Sequence, residues 1–197
     1  MGCSERLSAL EQVHAQIRVC PRCGLCKSRT NAVPGEGSID ADVMFVGEGP
    51  GAEEDRQGRP FCGASGKLLT RLLHGIGVDR ADVFITSLVK CRPPGNRDPL
   101  PEEIAACHSY LVSQVRLIAP KVVCALGRLA AKSLIDQRIA ISRDHGRERR
   151  IGDIVYVPMY HPAAALHRAE ILGEIERDME ALRSVLTRMG IAGEQGR

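Results

Sequence analysis

The chain has 197 residues, with 27 Lys and Arg against 24 Asp and Glu, a net charge of +3, and 44% hydrophobic residues. That composition suits one folded domain with its own core and excludes a disordered chain, and no apolar run reaches the roughly 18 residues of a membrane span. The mild positive balance permits a nucleic-acid partner without demanding one, and 3% aromatics with no Trp argue against a surface that stacks many bases of a single strand.

Residues 5–19 are predicted as a short helix leading into CPRCGLC at Cys20–Cys26. A polar connector with Pro34 and Gly35 follows. The apolar run Asp42–Val46 reads as a first buried strand, and Gly47–Gly66 as a long loop leaving its carboxyl end. Leu68, Leu69, Leu72, Leu73 and Ile76 recur at helical spacing, predicting a helix over 65–76 that Gly75 and Gly77 end. Asp82–Val89, rich in β-branched residues, is the second strand, followed by the proline-rich loop Lys90–Pro101. Pro101 opens a helix whose Glu102 and Glu103 favour the helix dipole, and which runs to about Ile118. Val122–Leu126 is the third strand, closed by Gly127, and a helix over 128–136 follows. The basic segment SRDHGRERR is turn-like. Ile154–Tyr160 is the fourth strand and ends in His161 and Pro162. A last helix is predicted over 163–188 and a frayed tail over 190–197.

Strands and helices alternate throughout, which argues an α/β fold with a parallel sheet, helices on both faces and right-handed crossovers. The loops Gly47–Gly66, Lys90–Pro101, Leu126–Arg128 and His161–Ala165 all leave carboxyl ends of strands, so they converge on one edge, where open α/β sheets bind ligands. Gly47–Gly66 lacks GxGxxG and GxxxxGK[ST], and Glu48, Glu53, Glu54 and Asp55 do not suit a phosphate cradle. Its glycines, prolines and Phe61 point to a shaped pocket rather than a solvated acidic loop.

Eight cysteines are present: Cys3, Cys20, Cys23, Cys26, Cys62, Cys91, Cys107 and Cys124. The N-terminal stretch has no apolar signal core, so metal is favoured over disulfides. Cys20-x-x-Cys23 is one half of a metal site, with Cys91 and Cys107 as the other. Four thiolates suit Zn²⁺ or an iron–sulfur cluster, and the Cys91–Cys107 spacing lacks the compact second CxxC of a zinc ribbon, which favours iron–sulfur. Cys26 makes a competing CxxC with Cys23. Cys124, in mid-strand, reads as a small buried apolar residue and Cys3 as exposed.

The run GEGPG-x-x-E-x-x-x-G-x-P-F-x-G, then VKCRPP with a downstream Cys, then a terminal HPA, resembles the iron–sulfur uracil-DNA glycosylases called family 4, from Cys20 to the last helix. The resemblance implies a three-layer α/β/α sandwich around a four-stranded parallel sheet. It implies one domain over 1–197 with a cysteine-bearing arm over 1–40. It also implies a structural [4Fe–4S] cluster on Cys20, Cys23, Cys91 and Cys107, pinning that arm to the loop after the second strand. The uracil pocket would use the backbone of Gly47, Glu48 and Gly49, with Phe61 as stacking platform and His161 bonded to the carbonyl beside the glycosidic bond. Glu48 would position or activate water, or offset charge on the sugar. Leu166 and Arg168 would fill the gap left by a flipped base. The implied protein is a cytoplasmic, monomeric DNA-repair glycosylase acting on uracil-containing DNA, with no membrane partner.

One position departs from the family's TNVVKCRPP: Ser87 stands in the Asn place. An Asn amide offers an acceptor and a donor in fixed orientation, whereas a Ser hydroxyl rotates and cannot hold both. Weaker discrimination between uracil and cytosine is expected, or a bridging water that restores it. Three alternatives remain at this point: a glycosylase for another deaminated base, a non-catalytic iron–sulfur DNA-binding protein, and a zinc-stapled nucleotide-binding module. Taken singly, His161 reads as a strand cap, Phe61 as core and Glu48 as a surface charge. The run Arg143–Arg150 reads as a solvated loop, or as phosphate contacts if it lies beside a DNA cleft.

Overall fold

The computed structural model describes residues 2–191. In chain order these form α1 (Cys3–Arg18), β1 (Glu36–Gly37), β2 (Val43–Gly47), α2 (Ala52–Gln57), α3 (Ala64–Gly75), β3 (Phe84–Ser87), α4 (Pro101–Ile118), β4 (Val122–Leu126), α5 (Arg128–Leu134), α6 (Ile141–Asp144), β5 (Arg149–Ile151), β6 (Ile154–Met159), α7 (Ala163–His167) and α8 (Glu170–Arg188).

The four apolar runs pair in parallel in the order β3-β2-β4-β6. Successive residues point to opposite faces of a strand. Val43 and Phe45 of β2 therefore pack with α3 and α8, while Met44 and Val46 pack with α4 and α5. Both faces are covered, which is why the strands read as continuous apolar runs rather than alternating ones. On α8, Ile175, Met179, Leu182 and Leu186 form the buried stripe. Each such side chain contributes about 1.5–3 kcal/mol by leaving water.

The sheet has six strands rather than four. β1 and β5 pair antiparallel with the outer strands β3 and β6. β1 has two residues and β5 three exposed ones. Neither carries an apolar or alternating signal; they satisfy backbone groups at the edges of the parallel core.

Three other expectations are corrected. The Gly47–Gly66 segment is broken by α2, whose Glu54 caps its own start by accepting the Gly51 N–H at 3.2 Å. The basic segment holds α6 and the start of β5 rather than a plain turn. The last helix is interrupted at Arg168, which is extended (φ −140°, ψ 101°), separating α7 from α8. Of the tail, Ile191 is tied down through its N–H to the Leu186 carbonyl at 2.9 Å, and residues 192–197 lie outside the described residues. Among the described residues no helix is long and apolar enough to cross a membrane.

β2 and β4 are neighbours although β3 lies between them in sequence. The chain reverses its winding there, and a crevice opens beside this point at the carboxyl ends of β2, β3 and β6, the edge where open α/β sheets usually bind ligands; the Leu126–Arg128 turn after β4 does not line it.

Candidate active site

The crevice encloses about 420 Å³ and is lined by Glu48, Gly49, Phe61, Ser87 and His161, which come from three different strand ends and the segment after α2. Gly47 lies beneath this group. A Cβ there would stand 3.0 Å from the Phe61 ring and 3.3 Å from Ser87 Oγ, so only glycine lets the ring and the hydroxyl come together. The β2–β3 pairing continues past the strands, with Leu88 N–H donating to the Gly47 carbonyl at 2.9 Å and Val89 N–H to the Glu48 carbonyl at 3.3 Å.

Glu48 Oε1 accepts the Leu129 N–H at 2.8 Å, in the first turn of α5. Burial raises its pKa above the ordinary carboxylate value. The Asp98 charge adds to the rise, and the Leu129 N–H and Arg128 oppose it. Arg128 and Asp98 pair at 2.7 Å, joining α5 to the loop after β3.

His161 follows β6 and stacks against Phe61, with ring centroids 5.4 Å apart and planes 28° apart. Its Nδ1 accepts the Ala163 N–H at 3.1 Å. That bond makes Nδ1 the acceptor, so the neutral ring carries its proton on Nε2. Burial pushes the His161 pKa down to about 4, partly opposed by Glu54, so the ring is neutral at physiological pH.

Phe61 is buried, as a core residue would be, and also walls the crevice. It adopts a left-handed conformation with φ 47°. A non-glycine residue there stores on the order of 1–2 kcal/mol of strain, which the surroundings must override. Glu54 does so. Its Oε1 accepts the N–H of Cys62 at 3.1 Å and of Gly63 at 3.0 Å, while Arg80 Nη2 holds the Pro60 carbonyl at 2.8 Å. Glu54 also lines the crevice, as do Asn96, Arg97 and His167, none of which sequence reasoning singled out for the site. For Glu54 the signal was present, since it is the Glu of GEGPG-x-x-E. Leu166 and Arg168 do not line the crevice; both are exposed on and just after α7, beside His167.

Residues 34–183 match the family model of the Uracil DNA glycosylase superfamily. The type-4 uracil-DNA glycosylase of Archaeoglobus fulgidus is 44% identical over 184 residues, covering 89% of this chain and 92% of that protein. Those of Pyrobaculum aerophilum (45%; 86% and 91% covered) and Thermotoga maritima (41%; 94% and 98% covered) are similar to it over comparable lengths. This chain belongs to the type-4 uracil-DNA glycosylases.

In this type-4 chain, Cys20, Cys23, Cys91 and Cys107 surround one cavity, joined by Cys26, Arg29, Lys90 and Tyr110. Among the described residues no three or more His, Cys, Asp or Glu side chains close on a single ion position. Four thiols lining one cavity are a donor set that a zinc ion or an iron–sulfur cluster could use. The donor set fits such a group in charge as well. Arg29 Nη1 donates to Cys91 Sγ at 3.1 Å, and the Lys90 N–H to Cys107 Sγ at 3.3 Å. Backbone and guanidinium donors of this kind stabilise ligand sulfur carrying negative charge. Cys124 is fully buried in β4 and Cys3 is exposed, both as expected. The basic run leads away from the crevice along β5, with Arg143 and Arg149 both paired to Asp144.

Proposed function

We propose that this protein excises uracil from DNA by hydrolysing its N-glycosidic bond, leaving an abasic site. The observation that carries this reading is the meeting of Glu48, Phe61, Ser87 and a neutral, tautomer-fixed His161 in one crevice beside the sheet's switch point. The whole chain acts as one domain, and DNA is its partner.

The target base must leave the duplex stack to reach a crevice of this depth. Once inside, it lies against Phe61. The bond from the sugar carbon to the base nitrogen breaks with its electron pair on the base. His161 Nε2–H then donates to the base oxygen as negative charge grows there, without first having to lose a proton. Glu48 has Oε1 tied to α5 and Oε2 without a hydrogen-bond partner among the described residues. That second oxygen faces the role of orienting water, whose oxygen bonds the sugar carbon as one of its protons leaves, by way of the carboxylate or directly, for the anionic departing base, or of offsetting positive charge on the sugar. The exposed Leu166 and Arg168 suit the space a flipped base vacates. Cys20, Cys23, Cys91 and Cys107 would hold a [4Fe–4S] cluster, which supplies a structural staple between the arm and the loop after β3 rather than a chemical step.

Ser87 supports a second reading, a wider choice of deaminated base. Its hydroxyl lines the crevice with no protein partner among the described residues, and it cannot fix both edges of uracil as an amide does. Labelled duplexes holding one uracil, hypoxanthine or xanthine, treated with the protein and then alkali, test both. Scission at uracil that depends on alkali is expected, and scission at hypoxanthine or xanthine alone would replace the first reading by the second. Ser87→Asn should widen the preference for uracil over cytosine by about 5- to 150-fold, the equivalent of about 1–3 kcal/mol.

A further inference from the structure

We infer that Asp178 is a positioning residue for this reaction, holding the turn that aims His161. The inference rests on the glycosylase reading above. Asp178 lies on α8, is 1% exposed, and faces the carboxyl end of β6. Its Oδ2 accepts the N–H of Tyr160 at 3.0 Å. Tyr160 follows the last residue of β6 and directly precedes His161. The strand ladder has ended at this point, and a side chain takes over its work.

The other oxygen, Oδ1, meets Nδ1 of His145 at 2.6 Å. His145 comes from the segment between α6 and β5, and its ring packs 4.7 Å from that of Tyr160. The next residue, Gly146, donates its N–H to the Pro158 carbonyl of β6 at 2.8 Å. Thus α8, the α6–β5 segment and the end of β6 meet on one carboxylate.

A buried carboxylate costs several kcal/mol unless it is paired and bonded; the other buried residues of α8 are apolar, and half-buried Glu174, one turn earlier, reaches Nε2 of the same His145 at 3.5 Å. An apolar residue at 178 would suit the core but would leave the Tyr160 N–H without an acceptor. Keeping an acceptor oxygen here makes sense as a means of fixing the direction in which the chain leaves β6. Asp178, His145 and Tyr160 do not line the crevice. Their effect therefore passes through the placement of His161, whose ring must meet both Phe61 and the leaving oxygen. A misplacement on the order of 1 Å costs about 100-fold in rate.

The test compares Asp178→Ala with Asp178→Asn in single-turnover excision from a uracil duplex. The Ala variant is expected to lose about 10- to 100-fold in rate while its DNA affinity stays within a few-fold. The Asn variant is expected to keep most of the rate, because its amide oxygen still accepts the Tyr160 N–H. Should Ala not fold, Asp178→Ser, with a shorter side chain, replaces it. An Ala variant as fast as the parent, an Asn variant as slow as Ala, or equal losses in rate and affinity would each overturn the inference. The ring resonances of His161 give a second readout that does not depend on substrate: Ala should move them and Asn should not. If the parent fails to excise uracil yet Ala moves those resonances, the glycosylase reading falls and the positioning role stands.

Discussion

Glu48 reaches across from the end of β2 to the first turn of α5, and that reach depends on Gly127. Gly127 has φ 98°, and a Cβ on it would stand 2.6 Å from Glu48 Oε1. Gly127→Ala must strain its own backbone and displace the carboxylate. It is expected to lower stability by more than about 1 kcal/mol in urea melts and to lower the excision rate roughly 10- to 100-fold, with DNA affinity retained. An unchanged rate would show that the position of Glu48 does not matter. The raised pKa of Glu48 gives a companion test. If its ionised form is required, kcat/KM should fall on the acid side at a higher pH than an ordinary carboxylate would give, and Glu48→Gln should remove that limb. His161, with its pKa near 4, protonates below it. Glu48 and His161 were legible in the sequence because each follows a strand end inside an extended motif, and Phe61 because it is the aromatic of the motif that Glu48 opens. The clamp by Glu54 was not, because its acceptors serve N–H groups eight and nine residues further on, in a turn that local sequence does not dictate.

The N-terminal arm is the element that links the cysteine cavity to the crevice. Asp55 of α2 accepts the Thr30 N–H at 2.9 Å, Asn31 Nδ2 donates to the Asp55 carbonyl at 2.9 Å, and the Val33 N–H donates to the Lys90 carbonyl at 2.7 Å. Lys90 is fully buried, and its Nζ holds the Ser87 carbonyl at 2.8 Å. Loosening the arm therefore reaches both α2, which leads to Phe61, and Ser87. Cys91→Ser is expected to abolish bound iron and visible absorbance, to lower the melting temperature and to slow excision together. Cys26→Ser should change none of these, and iron lost from Cys26→Ser but kept in Cys91→Ser would refute the proposed ligand set. At this scale the four parallel strands were legible because each is an apolar run buried on both faces. β1 and β5 were not, because pairing rather than composition makes them strands. The interruption at Arg168 has no glycine or proline to announce it.

For the molecule as a whole, acid is the condition that tests how these parts add up. His14 and His161 both have pKa values lowered from 6.5 to about 4, mainly by burial. His14 is also opposed by the charges of Arg18 and Lys90. The unfolded chain binds protons at these two residues before the folded chain does. Their contribution to stability is complete above pH 6.5 and is lost as the pH falls from 6.5 towards 4. Asp144 is held at about 2, first by Arg143, so its contribution is lost in a later window, below the ordinary carboxylate value of 3.8. Glu48 and Asp178, with raised values, act in the opposite sense and offset part of the loss as they take up protons in the folded state. Urea melts should accordingly show a lower midpoint at pH 5 than at pH 7, with unchanged slope. His14 lies on α1, away from the crevice, within 3.2 Å of the Gln114 side chain. His14→Gln should therefore flatten the dependence between pH 7 and 5 without touching excision. A His14→Gln protein as acid-sensitive as its parent would shift the loss towards His161, making the proposed donor to the leaving base also a residue that sets the acid limit of the fold.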